Sequence, residues 1–239
     1  DFLDQGMVSA SDVLTAEVGV ATFFAGGASG GIGRAFGGTD PVFIPDANPV
    51  TTTSPLDDDS DDDGLFDGTE DFDHNGAVGL IESNPNIADS DGDLIKDGTE
   101  LGLAAPQGTG TNLAAGNFVA DADAGATRTS AIDVDTDDDG MADGTEDANR
   151  DGNAGTTLGG TGSAGAGETD ASRADTDGDG IQDGTELGVT TGVAGTDPAV
   201  FRPDADAAST TGALDTDSDD GGIRDGDEDF DNDRLSNAA

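Results

Sequence analysis

The chain has 239 residues and a formal net charge of −45, from 53 Asp plus Glu against 8 Lys plus Arg. Charge of that sign and density argues against a nucleic-acid partner, which needs clustered Lys and Arg, and against a compact body unless cations offset the self-repulsion. Hydrophobic residues are 33%, every aromatic is Phe and cysteine is absent, so neither a large apolar core nor disulfides can hold the fold, and metal is the remaining staple.

Residues 1–37 form a first region, apolar, Gly-rich and nearly free of acid clusters. Leu14, Ala16, Val18 and Val20 alternate with period two, which predicts a β-strand suited to adding onto the sheet edge of another subunit. Gly26–Ala35 reads GGASGGIGRA and resembles the cofactor loop of short-chain dehydrogenases. Gly37, Gly38 and Pro41 stop the helix that such a loop must open, and the chain has no Tyr to serve as that family's catalytic residue. No nucleophile and base pair is visible elsewhere, and the lone His74 sits at a solvent-facing loop position, so the chain is not read as an enzyme. No apolar run approaches the roughly 18 residues that span a bilayer.

Residues 38–239 form a repeat array. LDDDSDDDGLFDGTEDFDHN at 56–75 returns at 214–233 as LDTDSDDGGIRDGDEDFDND, and a third copy lies at 132–151. Between them stand DSDGDLIKDGTEL at 89–101 and DTDGDGIQDGTEL at 175–187, so two kinds of unit alternate. The shared form is D-x-D-x-D-G-x-x-D-G-x-E. Stretches 102–117 and 152–167 are rich in Gly, Ala, Thr and Ser and read as loops.

Calcium takes six to eight oxygen ligands, and a 12-residue loop supplies them from positions 1, 3, 5, 9 and 12 and a carbonyl at 7, with glycine at 6 for the turn. Five loops fit. Loop A offers Asp59, Asp61, Asp63, Asp67 and Glu70; loop B offers Asp89, Asp91, Asp93, Asp97 and Glu100. Loop C offers Asp135, Asp137, Asp139, Asp143 and Glu146, and loop D offers Asp175, Asp177, Asp179, Asp183 and Glu186. Loop E offers Asp217, Asp219, Asp225 and Glu228. Two copies depart from the form: Leu94 replaces the glycine of loop B, and Gly221 replaces the position-5 carboxylate of loop E.

A second kind of loop begins directly after the glutamate in alternate units. Asp71, Asp73, Asn75 and Glu82 form one, and Asp147, Asn149 and Asp151 begin another that Glu168 closes if the Gly/Thr-rich stretch before it bulges out. Asp229, Asp231 and Asp233 open a third, with Arg234 in place of its glycine, and completion by a neighbouring copy is expected there. Roughly eight or more Ca2+ are expected, and Asp46, Asp57, Asp133, Asp204, Asp206 and Asp215 could recruit others. Leu65, Ile95, Met141, Ile181 and Ile223, all at position 7, are expected to form a repeating mini-core.

The flanks exclude an EF-hand or a dockerin, since Pro55 precedes one loop and Gly102 and Pro106 follow another where helices would be needed. DTDGDGIQDGTELG, GETDASRADTDGDG and GTDP resemble the thrombospondin type 3 repeat in its bacterial version, over roughly residues 38–239. That resemblance implies an irregular chain wrapped around a row of calcium ions, serving as a stiff extracellular spacer or surface module. The expected fold is an irregular, helix-poor, calcium-stabilised repeat array with short β segments. The expected function is that of an extracellular, calcium-binding structural protein at the cell surface, the subunit of a fibre or filament built head to tail from copies of itself. A calcium-rigidified adhesin or spacer module carrying a partner domain is the alternative. Thr51–Ser54 and Ser209–Thr211 could carry O-linked surface glycans.

Overall fold

A computed structural model describes residues 45–154 and 167–228. Its only regular elements among those residues are five single helical turns: α1 (Asp67–Glu70), α2 (Asp97–Glu100), α3 (Asp143–Glu146), α4 (Asp183–Glu186) and α5 (Asp225–Glu228). Each covers positions 9–12 of a loop, so the array is helix-poor as expected. No strand forms among the described residues, contrary to the expected short β segments. The backbone explains why. Positions 4 and 6 take positive φ, as at Asp138 (62°) and Gly140 (100°), and side-chain carboxylates take the N–H groups a ladder would need. The expected N-terminal strand lies outside the described residues.

The chain divides into two units, one of residues 45–60 and 66–86, the other of 61–65 and 87 onward. In the first, residues 46–51 lie along the second-kind loop: Ala47 N–H donates to the Asn75 carbonyl (2.6 Å) and the Thr51 hydroxyl to that of Gly76 (2.5 Å). Val50, Leu56, Phe72, Leu80 and Ile81 are exposed.

In the second unit, one contact recurs at every step of the array. The N-cap positions of α2, α3 and α4 are extended and have no side-chain cap of their own. The position-5 aspartate of the preceding repeat takes the orphan N–H of the position-10 glycine instead: Asp63 from Gly98 (3.2 Å), Asp93 from Gly144 (2.7 Å), Asp139 from Gly184 (2.6 Å) and Asp179 from Gly226 (2.9 Å). A Cβ on any of these glycines would run into the carbonyl oxygen of that same aspartate.

The residue after the glutamate decides where the chain goes next. After α2 and α4 it is Leu, and Gly102 and Gly188 follow at φ 82° and 84°, ending the turn with bonds from Gly102 to Thr99 and from Leu103 to Gly98, and their counterparts. A long linker then begins. After α3 it is Asp147, whose ψ of 78° leads straight into the second-kind loop, as Asp71 does with ψ 77° after α1 in the first unit.

Buried polar and charged residues outnumber buried hydrophobic ones three to one among the described residues. The apolar interior consists of Leu65, Ile95, Met141 and Ile181 with Ala88, Ala131, Ala171 and Ala213. The mini-core thus forms at four of its five expected positions, and Ile223 stays 54% exposed.

Candidate metal centres

One oxygen of most loop carboxylates is fixed by the backbone, which leaves the other turned inward. At position 3, Asp91, Asp137 and Asp177 accept the N–H two residues on (3.1, 3.1 and 3.0 Å) with Oδ1. Their Oδ2 atoms are buried and meet no donor. At position 1, Asp135 accepts Gly140 N–H with Oδ2 (3.1 Å), and its buried Oδ1 meets none. At position 5, Asp93, Asp139 and Asp179 accept the N–H of residue 7 with one oxygen (2.8 Å each) and the next repeat's glycine with the other.

The position-12 glutamates repeat one arrangement. A hydroxyl from a later segment donates to Oε1: Thr129 to Glu100 (3.0 Å), Thr169 to Glu146 (2.8 Å) and Thr211 to Glu186 (2.7 Å). Oε2 of each is buried with no donor. In the first unit, Ser83 serves Glu70 likewise (3.1 Å). Burying a bare carboxylate oxygen costs several kcal/mol, so a donorless Oε2 at the same position three times suits a cation.

Position 9 behaves differently from the expectation of a ligand to its own loop. Asp97, Asp143 and Asp183 accept both the N–H and the hydroxyl of position 2 (Ser90, Thr136 and Thr176), which cinches the loop shut. Asp225 does the same with Ser218, and Asp67 with Ser60 in the first unit. Asp143 also lies with Asp93 and Glu100, one carboxylate oxygen of each within 4.8 Å of the others. Asp143 at position 9 therefore faces positions 5 and 12 of loop B. Asp89, Asp91 and Asp93 form a second group, and Asp71, Asp73 and Glu82 a third within the first unit.

The second-kind loops share one geometry. Glu82 accepts Asp73 N–H (3.1 Å) and Glu168 accepts Asn149 N–H (3.2 Å), while Asp71 and Asp147 each accept the N–H of the position-6 glycine (2.8 Å). Glu168 thus stands to its loop as Glu82 stands to the first. Asn75 and Asp151 each accept the N–H two residues on with Oδ1, from Ala77 and Asn153. His74 is exposed, as expected. Asp59, Asp61 and Asp63 are buried, Asp175 and Asp217 half-buried, and Asp219 and Glu228 exposed. Asp229, Asp231 and Asp233 lie outside the described residues.

Burial raises the carboxyl pKa values, and neighbouring carboxylates raise them further. Glu100 is pushed up to about 10 by burial and then by Asp91 and Asp93, Asp143 to about 8 by burial with Asp93 and Asp135 adding to it, and Glu186 to about 8 by burial and then by Asp179 and Asp177. A bound cation would reverse that pressure.

Sequence reasoning missed the Ser or Thr at position 2, although it recurs in all five loops, and the hydroxyls that hold the glutamates. It also missed Asp121, and placed Asp204 only among the residues that could recruit further ions. Both are buried; Asp121 takes Asp123 N–H (2.8 Å) and Gly125 N–H (3.0 Å), while the buried Oδ2 of Asp204 meets no donor. Among the described residues no helix is long and apolar enough to cross a membrane. Comparison with family models, characterised proteins and solved structures returned no match.

Proposed function

We propose that this chain is an extracellular calcium-binding structural protein whose ions take the place of a hydrophobic core, and that it serves as the subunit of a surface fibre. The observation that carries the reading is the recurrence of buried glutamate Oε2 atoms with no donor, at Glu100, Glu146 and Glu186. Oxygen-only, carboxylate-rich sites of irregular geometry suit Ca2+ better than Mg2+, which demands near-octahedral order and keeps its waters. The ion at loop B would be held by Asp89, Asp91 and Asp93, with Glu100 and the next repeat's Asp143 completing or sharing it. The likeness of the loops to thrombospondin type 3 repeats supports the same reading. Such sites do not exist in the unfolded chain, so binding energy becomes folding energy.

The test is metal analysis together with circular dichroism and hydrodynamic radius, with and without chelator. Chelation is expected to expand the chain and abolish protease resistance across residues 56–233. An unchanged radius in excess chelator would refute the reading.

A further inference from the structure

Asn75 and Gly76 stand at positions 5 and 6 of the second-kind loop in the first unit and form the only Asn-Gly pair in the chain. In such a pair the glycine, with no Cβ in the way, lets its backbone nitrogen approach the asparagine side-chain carbon. The loop ties down each group that this approach would use. Gly76 N–H donates to Asp71 Oδ2, Asn75 Oδ1 accepts Ala77 N–H, and Asn75 Nδ2 donates to Asp73 Oδ2 (2.8 Å each). The Asn75 N–H is held as well, by Asp71 Oδ1 (3.0 Å) and Asp73 Oδ1 (3.1 Å). A Gly76 nitrogen that gave up its proton here would place a second negative charge against the Asp71 carboxylate, so the closed loop opposes the attack.

The corresponding loop of the second unit makes the same bonds around an aspartate. Gly152 N–H donates to Asp147 Oδ2 (2.8 Å) and Asn153 N–H to Asp151 Oδ1 (3.2 Å), so this backbone accommodates a carboxylate at position 5. Each loop has three carboxylates and one amide among its ligand positions, the amide being Asn75 in the first and Asn149 in the second. Only Asn75 precedes a glycine; Asn149 precedes Arg150. Asn75 and Gly76 are half-buried and their neighbours Asp73 and His74 are exposed, so water reaches the loop.

We propose that Asn75 is a calcium-gated self-modification site, whose amide the closed loop preserves and the open loop converts to a carboxylate. In the open loop the Gly76 nitrogen bonds to Asn75 Cγ and releases its proton to solvent. The Cγ–Nδ2 bond breaks, and Nδ2 takes up a proton and leaves as ammonia, which leaves a five-membered cyclic imide. Water then opens the ring. Attack at Cγ restores the ordinary peptide bond to Gly76 and yields an aspartate, which raises the loop from three carboxylates to four. Attack at the main-chain carbonyl yields isoaspartate, whose backbone is one carbon longer and no longer fits the loop. An ion that binds only the closed loop lowers the open population, so the gate rests on the calcium reading above, whereas the chemistry needs only water. The loop thereby keeps an irreversible record of time spent without an ion.

The test incubates the full chain at neutral pH in calcium and in excess chelator, then follows the peptide carrying Asn75 by mass for exchange of NH2 for OH, with isoaspartate resolved by chromatography. Conversion is expected to be at least roughly tenfold faster in chelator, to approach the rate of a synthetic peptide of residues 71–82, and to spare Asn149 and Asn153. The Asn75→Asp variant, read from the calcium-dependent shift of the Ala77 amide, is expected to bind calcium in this loop at least about threefold more tightly than the parent chain. Weaker binding would overturn the gain ascribed to the aspartate product. Calcium per chain is measured on the same samples. A chain that takes up no calcium overturns the underlying reading and the gate with it. A calcium-loaded chain that converts Asn75 as fast as the chelated one, or a chelated chain that keeps Asn75 intact while the peptide reacts, overturns the gate and leaves the calcium reading standing.

Discussion

The backbone N–H of Gly144 donates to the carboxylate of Asp93 over 2.7 Å, joining residues 51 positions apart. The glycine is required there because a Cβ would meet the Asp93 carbonyl. Gly144→Ala is therefore expected to destabilise the calcium-loaded junction between loops B and C by about 1–3 kcal/mol, the usual cost of overpacking a close contact. Hydrogen exchange in calcium checks it: protection should fall around residues 93–100 and 139–146 and persist around 179–186. Unchanged protection throughout would show that the backbone yields without cost.

Leu94 occupies position 6 of loop B at φ 93°, where the other four loops have glycine. A side chain in that region is strained, and Leu94 is 55% exposed, so little burial is lost on removing it. Leu94→Gly is expected to stabilise the calcium-loaded chain by about 1 kcal/mol and shift loop B to lower calcium concentrations. A chelator titration monitored by circular dichroism reads the shift, and a move the other way would refute the strain argument.

Asp143→Asn keeps an oxygen for the Thr136 N–H and a partner for its hydroxyl, so loop C stays cinched while a negative charge leaves the group shared with Asp93 and Glu100. The variant is expected to weaken the site at loop B by at least the roughly tenfold that accompanies loss of a supporting partner. Calcium-dependent amide shifts at Ile95 and Gly98 report loop B, and those at Met141 and Gly184 report loop C. Greater weakening at loop C would return Asp143 to its own loop.

Without metal, folding raises the pKa values of Glu100, Asp143 and Glu186 above their unfolded values near 4. A raised folded-state pKa contributes stability that is complete below the unfolded value and lost as pH rises through the folded one. The metal-free chain should thus be most compact near pH 4 and expand as pH rises toward 8–10. Calcium displaces those protons, so binding at pH 7 should release protons and tighten as pH rises. Calorimetry in buffers of different ionisation enthalpy measures the release, and buffer-independent heats would rule it out.

The loop register was legible because the D-x-D-x-D-G-x-x-D-G-x-E pattern recurs with fixed spacing. Oxygens at positions 1, 3, 5 and 12 recur so strictly that Asp135, Asp137, Asp139 and Glu146 could be placed from spacing, and Glu168 from its alignment with Glu82. The apolar position 7 was legible for the same reason. Spacing could not say which loop a position-9 carboxylate faces, since Asp143 satisfies its own loop's pattern and reaches the preceding loop only through a contact 51 residues long. The contacts of Asn112 with Asp62 and of Asp197 with Asp138 were hidden too, because TNLAAGNF and TDPAVF share little beyond a threonine, an alanine and a phenylalanine. Short β segments were expected within the array, and the carboxylates that capture the backbone N–H groups remove that option among the described residues.

The step from Asp63 to Gly98, Asp93 to Gly144, Asp139 to Gly184 and Asp179 to Gly226 always runs the same way along the chain. The acceptor is upstream and the donor downstream, so a repeat already formed presents the carboxylate and carbonyl on which the following helical turn is laid. The array is therefore polar: each repeat turns a carboxylate and a carbonyl toward the repeat after it and a glycine N–H toward the repeat before it, so a stack of them reads differently in its two directions.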